Sequence, residues 1–145
     1  MCVNGTEAAN ASARATRTIC RTRVGLFPEM TLHDHLYFAS LFGGVEFSDL
    51  IDECKTYEID PWLHVKAREM STGVARRAWI LTSLARPFSV GLLDEPFLGV
   101  DMKSSDILVG VIGRLARTKR ILMVSHEWPA ELKFDSTLAL ESRCI

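Results

Sequence analysis

The chain of 145 residues contains no glutamine, no C-x-x-C pair and no apolar run near the roughly 20 residues of a membrane span. Its four cysteines are scattered, which argues against a disulfide scaffold or a zinc module and favours a reducing compartment. The net charge of −1 leaves no broad basic surface, so nucleic acid is not an expected partner. If the protein acts at a membrane, we expect it to do so only through a partner protein.

The spacing of apolar residues predicts alternating helices and parallel strands. Thr31 and Asp34 can form a capping box ahead of a first helix, which Gly43-Gly44 should end. Apolar runs at 90–93 and 121–124 predict two buried strands, and the helical pattern between them indicates a parallel α/β sheet. A further helix is expected over 47–54, with a cap at Ser48 or nearby. Another should begin near Ser71, with Arg76 and Arg77 off its apolar face. A last helix is expected over 107–115. Further strands are expected to end at 3–5 and to lie at 137–140.

Polar residues follow both buried strands at their carboxyl ends. Asp94 and Glu95 come after the first strand, and His126 comes after the second. Ligands of open parallel sheets bind beyond the carboxyl ends of the strands. An aspartate there can hold Mg²⁺, a glutamate can polarise an attacking water, and a histidine can donate a hydrogen bond to a phosphate. Taken alone, an apolar run followed by Asp-Glu more often begins an ordinary surface loop.

A second candidate element precedes the third helix. Residues 70–74 read M-S-T-G-V, which places Ser71 and Gly73 at a helix N-terminus, where free backbone N–H groups and the helix dipole favour phosphate. By itself this pattern is better explained by a plain N-cap. His33 and His35 lie on the first helix and should point apart, which is unsuited to a closed metal site.

The order and spacing of these segments resemble the ABC ATPase family. The family signature L-S-G-G-Q, followed by an arginine-containing helix, is similar to residues 70–77 (M-S-T-G-V-A-R-R). The later strand with D-E-P is similar to residues 92–96, the loop that ends in aspartate to 98–101, and the Ser-His pair to 125–126. Residues 26–32 (L-F-P-E-M-T-L) resemble the stretch after the family's Q-loop, so the resemblance covers nearly the whole chain.

The resemblance implies a P-loop NTPase-like fold, with a parallel sheet and an inserted helical subdomain. It also implies that ATP and Mg²⁺ are the ligands. Asp94 would help to hold Mg²⁺, Glu95 would be the base for the attacking water, and His126 would contact the γ-phosphate.

The resemblance also implies two partners. Ser71 and Gly73 would reach an ATP held by a second ABC ATPase domain, because family members sandwich two nucleotides between two domains. Asp101 would lie at that dimer interface. Residues 31–70 would touch a transmembrane permease domain, which would hold the chain at the cytoplasmic face of a membrane.

The sequence departs from the family at three places. It contains no G-x-x-x-x-G-K-[ST], the loop whose backbone N–H groups and lysine grip the β- and γ-phosphates. Thr22 stands where the Q-loop glutamine is expected, and Thr72 and Val74 replace the first glycine and the glutamine of the signature. We therefore expect an N-terminally incomplete domain, without its first strand and P-loop, that is inactive in isolation. Whether the chain acts as an ATP hydrolase stays open.

The expected organisation has three parts. Residues 1–30 would be an irregular segment leading out of the Q-loop, with an organellar transit peptide as the less favoured interpretation of its Ala-, Thr- and Arg-rich start. Residues 31–75 would be the helical subdomain ending in the signature, and 76–145 the α/β part with the Walker B and H-loop motifs. The subfamily is open, since 29–38 resemble the lipid-exporter (A-type) proteins and 94–97 resemble the haem-exporter ATPase.

Three functions remain as hypotheses. The first is an ATP-binding subunit or fragment of an ABC transporter, coupling ATP binding and hydrolysis to transmembrane transport. The second is a non-catalytic degenerate half-domain that pairs with a complete ABC ATPase and modulates it. The third is an ABC-type ATPase that acts on DNA or ribosomes, which the lack of heptads and basic tracts disfavours.

Overall fold

A three-stranded parallel sheet lies at the centre of the chain in this computed structural model, which describes residues 2–3, 6–7, 10 and 15–138. The strand order is β3-β4-β5, with both neighbouring pairs parallel, so the predicted α/β class with a parallel sheet is confirmed. Two very short strands near the start pair with each other in antiparallel fashion. The strands are β1 (Cys2–Val3), β2 (Thr6–Glu7), β3 (Arg17–Cys20), β4 (Val90–Asp94) and β5 (Arg120–Val124).

The part of the chain that the structure describes includes four α-helices. The first two pack on each other and on the third, and the third and fourth pack on the sheet strands. The helices are α1 (Leu32–Gly43), α2 (Phe47–Thr56), α3 (Thr72–Leu84) and α4 (Met102–Ala116), with 3₁₀ turns at Asp60–Trp62 and Ala67–Glu69.

The helix ends follow local sequence rules in most places. The predicted capping box is present, because the Thr31 hydroxyl accepts from the Asp34 N–H and the Asp34 carboxylate accepts from the Thr31 N–H. Gly44 closes α1 with φ 68°, a left-handed conformation that glycine adopts without steric cost. The N-cap of α2, expected at Ser48 or nearby, is Glu46, which makes no side-chain capping bond.

The expected irregular segment over residues 1–30 is wrong for Arg17–Cys20, which forms β3 in the central sheet. The parallel partner β4 supplies the hydrogen bonds that a short stretch of four residues cannot supply for itself. The boundary expected between residues 75 and 76 falls inside the continuous helix α3. Of the other expected strands, residues 137–138 form none, while 139–140 and 4–5 lie outside the described residues.

The core lies between one face of the sheet and helices α3 and α4, and it continues into α1 and α2 through Leu36 and Cys54. Cys20 and Leu93 are each 1% exposed and occupy the same register position in β3 and β4. Burial raises the pKa of the Cys20 thiol to about 11, so this thiol packs as a neutral group. The run at 121–124 was expected to be a buried strand, but β5 is half exposed, with Leu122 at 50%.

Within the described ranges, the structure contains no helix that combines the length and apolar character needed to cross a membrane.

Candidate functional site

The carboxyl ends of β4 and β5 bring Glu95 and His126 together. Glu95 is the first residue after β4 and His126 the second after β5, and the parallel pairing places the two strand ends side by side. Glu95 Oε1 lies 3.6 Å from His126 Nε2. Both residues line an open cleft of about 360 Å³, together with Trp128 and Pro129. The structure thus brings Glu95 and His126, two of the sequence-predicted site residues, together at one edge of the sheet.

Glu95 is held in an unusual backbone conformation. Its φ is 49°, a left-handed value that costs a residue with a side chain on the order of 1–3 kcal/mol. Its N–H donates to the Val124 carbonyl at 2.8 Å, which ties this conformation to β5. Strain of this kind is retained where the surrounding contacts fix it, and functional sites are common places for it.

The Glu95 carboxylate is oriented by the two residues that follow β5. The Ser125 hydroxyl donates to Glu95 Oε2 at 3.1 Å, and the His126 backbone N–H donates to Oε1 at 3.1 Å. The Glu95 side chain is 15% exposed, whereas the His126 side chain is 98% exposed. The Glu95 side chain is thus fixed within the protein, whereas the His126 side chain is open to a ligand. Sequence reasoning missed the role of Ser125, although its position beside His126 was the available signal.

Asp94 lies on the other side of β4's end and pairs with Thr22. The Thr22 hydroxyl and, at 3.4 Å, the Thr22 N–H both donate to Asp94 Oδ2. A carboxylate and a hydroxyl are oxygen donors of the kind that Mg²⁺ accepts. The described residues contain no group of three or more His, Cys, Asp or Glu side chains that could hold a metal ion. A magnesium ion here would therefore need substrate phosphates and water to complete its coordination.

Ser71, Gly73 and Asp101 form a separate cluster outside this cleft. Ser71 is the N-cap of α3, where its hydroxyl accepts from the Val74 N–H at 3.3 Å. Asp101 is the N-cap of α4, and its carboxylate accepts from the Ser104 N–H at 2.7 Å. That backbone hydrogen bond lowers the pKa of Asp101.

Gly73 fills the narrow gap between α3 and α4. A Cβ added there would lie 2.2 Å from Ser104 Oγ and 2.9 Å from Asp101 Oδ2, so only glycine fits. The structure thus joins the signature-like segment to the Asp101 loop within one chain. Val74, which replaces the signature glutamine, is buried at 4% exposure.

Arg76 and Arg77 differ from the sequence expectation, which placed them off the buried face of their helix. Each is only 5% exposed. Arg76 donates to the carbonyls of Thr22 and Leu98, and Arg77 donates to those of Gly73, Tyr57 and Glu58. Apolar periodicity cannot detect such burial, because the long stems pack while the guanidinium groups find backbone carbonyls.

His33 and His35 point apart, as expected for neighbours in a helix. His35 is buried at 8% exposure. Its Nε2 accepts from the Phe27 N–H at 2.8 Å, so the other ring nitrogen carries the proton and donates to the Thr31 carbonyl at 2.7 Å. His33 stacks on His64 with ring centroids 5.7 Å apart. These contacts assign the histidines to packing.

Comparison with known proteins places this geometry in context. No protein-family model matches the chain. It is 27% identical over 142 residues to the glutathione/L-cysteine transport system ATP-binding/permease protein CydC of Escherichia coli, an alignment that covers 91% of this chain and 24% of that protein. The chain therefore spans about a quarter of the length of this relative.

Two solved structures share its architecture. The structure of an ATP-binding subunit of an ABC transporter superposes with a TM-score of 0.71 at 21% identity, over 86% of this chain and 55% of that one. The dimeric structure of MJ0796, a bacterial ABC transporter cassette, superposes with a TM-score of 0.68 at 21% identity, over 79% and 54% of the two chains. The predicted resemblance is confirmed: the chain is similar in sequence to ATP-binding proteins of ABC transporters and has the P-loop NTPase fold of ABC ATPase domains.

Proposed function

We propose that these residues form the part of an ABC transporter ATP-binding domain that supplies the general base and the γ-phosphate contact for ATP hydrolysis. The observation that carries this proposal is the Glu95 carboxylate, which accepts hydrogen bonds from the two residues after β5 and lies 3.6 Å from the exposed His126 ring. A base must be fixed and within reach of the proton it removes, while a phosphate donor must be open to the ligand.

In the proposed reaction, water attacks the γ-phosphorus of ATP while Glu95 accepts a proton from that water. The bond to the leaving ADP oxygen breaks, giving ADP and inorganic phosphate. His126 donates a hydrogen bond to a γ-phosphate oxygen, where negative charge is concentrated. Asp94 and Thr22 are the residues that would hold Mg²⁺, which neutralises phosphate charge when bound. The His126 backbone N–H orients the Glu95 carboxylate, together with the Ser125 hydroxyl, which also lies within hydrogen-bond distance of the Glu127 carbonyl.

The proposed activity needs groups beyond these 145 residues. Because the sequence contains no G-x-x-x-x-G-K-[ST], the cradle for the β- and γ-phosphates has to come from another segment or chain. We place Ser71, Gly73 and Asp101 at the contact with a second ABC ATPase domain, which would hold the other nucleotide. A transmembrane permease would be the second partner and would place the domain at the cytoplasmic face of a membrane.

The test joins a phosphate-binding segment from a complete ABC ATPase domain to this chain and measures Mg·ATP hydrolysis. We expect Glu95→Gln to lower turnover by about 10²–10⁴-fold while Mg·ATP still binds, because general-base catalysis contributes about that much. Glu127→Gln is the matched control, since Glu127 also lines the cleft but its side chain is not among the hydrogen-bond or ion-pair partners of Glu95. Equal turnover in the Glu95 variant and the unmodified fusion would refute the proposal.

The 145-residue chain itself should show no detectable Mg·ATP binding by calorimetry, because nothing in it replaces the phosphate cradle. Micromolar binding, about −8 kcal/mol, would mean that another segment of the chain binds phosphates.

A specific observation also favours the non-catalytic alternative. Val74 is buried, so the side chain at the position of the signature glutamine has no access to a partner's nucleotide. On this alternative, the chain added to a complete ABC ATPase would change that enzyme's turnover equally with Glu95 or Gln at position 95. The Glu95→Gln comparison therefore separates the two functions.

A further inference from the structure

We propose that Arg76 is the positioning residue of the candidate site, joining the Thr22 segment to the loop that follows Glu95. Its guanidinium donates to the Thr22 carbonyl from one terminal nitrogen and to the Leu98 carbonyl, at 3.3 Å, from the other. These two segments are 76 positions apart in the sequence, from 22 to 98, and Arg76 belongs to a third element, α3. One side chain thus fixes the segments on both sides of the carboxyl end of β4.

The first consequence concerns Asp94. Thr22 donates to Asp94 Oδ2 through its hydroxyl, and the same residue accepts the Arg76 bond through its carbonyl. Arg76 is therefore connected to the Asp94 carboxylate by two hydrogen bonds, both of them made by Thr22. Where the family resemblance predicts a glutamine, this chain has a threonine whose short side chain reaches Asp94 only if its backbone is held in place.

The second consequence concerns the loop after Glu95. Leu98 and its neighbour Gly99 line the cleft with Glu95 and His126. The Leu98 N–H donates to the Glu95 carbonyl at 3.2 Å, while the Leu98 carbonyl accepts from Arg76. Through its bond to the Leu98 carbonyl, Arg76 thus holds the loop that lines the cleft and contributes to keeping Glu95 in its left-handed conformation.

The burial of Arg76 shows that it has a use beyond packing. It is 5% exposed, no carboxylate of the described residues forms a salt bridge with it, and its Nε atom has no hydrogen-bond partner there. A buried cation without a paired anion is costly, and apolar replacements of similar size are often neutral or stabilising. Global stability therefore does not explain this residue, whereas its two bonds to separate loops do.

The experiment measures amide hydrogen exchange in the 145-residue chain without nucleotide. We expect Arg76→Met to accelerate exchange about tenfold or more at Thr22, at Leu98 and at Val100, whose N–H donates to the Phe97 carbonyl at 3.4 Å in the same loop as Leu98. Hydrogen bonds to charged groups contribute about that much. The midpoint of thermal unfolding should stay the same or rise. A residue with a merely structural role would lower that midpoint without singling out the two loops.

Arg77→Met is the matched control. Arg77 is equally buried and adjacent on α3, but it donates to Gly73, Tyr57 and Glu58. Its substitution should change exchange by less than about twofold at Thr22, Leu98 and Val100, because it bonds neither segment. Arg76→Lys keeps the charge and the fold but cannot hold two carbonyls in a planar fork, so it should also release at least one loop.

The proposal is overturned if both Arg76 variants leave exchange at these amides within about twofold of the unmodified chain. It is equally overturned if Arg77→Met accelerates them as much as Arg76→Met does. The functional importance of these loops rests on the proposed function, because they border the proposed nucleotide site. The exchange measurement itself does not depend on ATP. A failure of the Glu95 test with a positive exchange result would leave the Arg76 link intact and reject only the proposed function.

Discussion

The two faces of the central sheet have similar sequences and different surroundings. On one face, Cys20 and Leu93 are almost fully buried beneath α3 and α4. On the other, Ile19 and Leu122 lie at one register position with Leu92 between them, and they are 46% and 50% exposed. Parallel strands normally have both faces covered, and their sequences are apolar on both faces for that reason. An apolar strand sequence therefore predicts that its side chains favour burial. Which face is buried depends on where the helices pack on the sheet.

Truncating one leucine on each face gives the largest expected contrast. Leu93→Ala should lower the free energy of unfolding by about 2–5 kcal/mol, because it removes a fully buried side chain and leaves a cavity. Leu122→Ala should cost less than about 1 kcal/mol, because half of that side chain is already in water. Urea unfolding of the two variants measures both values. Equal losses would mean that the second face is covered in solution.

A second contrast separates the glycines of the covering helices. Gly73→Ala should destabilise the chain by about 1–3 kcal/mol, because the new methyl group would overlap Ser104 and Asp101 and force α3 and α4 apart. Gly110→Ala, in α4 where a Cβ would have nothing within 4 Å, should stabilise it by about 0.5–1 kcal/mol. Thermal unfolding of both variants measures these two changes in stability. A neutral Gly73→Ala would show that the two helices can separate without cost.

The smallest expected effect is the pH dependence contributed by the Asp101 cap. The Ser104 N–H lowers the pKa of Asp101 below its ordinary value of 3.8, so the folded state favours the ionised form. The resulting stability is present above pH 3.8 and is lost as the pH falls through the lower folded-state pKa. Asp101→Asn keeps a capping oxygen without the charge and should flatten the acid limb of the unfolding curve. Parallel acid limbs for the two proteins would contradict this origin.

Much of the site could be predicted from the sequence, because its residues lie within two positions of the ends of apolar runs. Asp94, Glu95 and His126 were found in this way, and the strand ends do bring Glu95 and His126 together. The partners that orient them could not be predicted. Thr22 is far from Asp94 in sequence, and the hydrogen bond between them exists only because β3 pairs beside β4.

Local sequence was sufficient to predict the parallel α/β class, the helix starts at Thr31 and Ser71, and the residues at the ends of β4 and β5. These features follow from local periodicity, capping chemistry and the short range of backbone hydrogen bonding. Packing between distant segments, by contrast, sets which sheet face is buried and which arginine bonds which loop. Those outcomes depend on contacts between segments distant in the chain, and a buried arginine has the same local pattern as an exposed one until its carbonyl partners are in place.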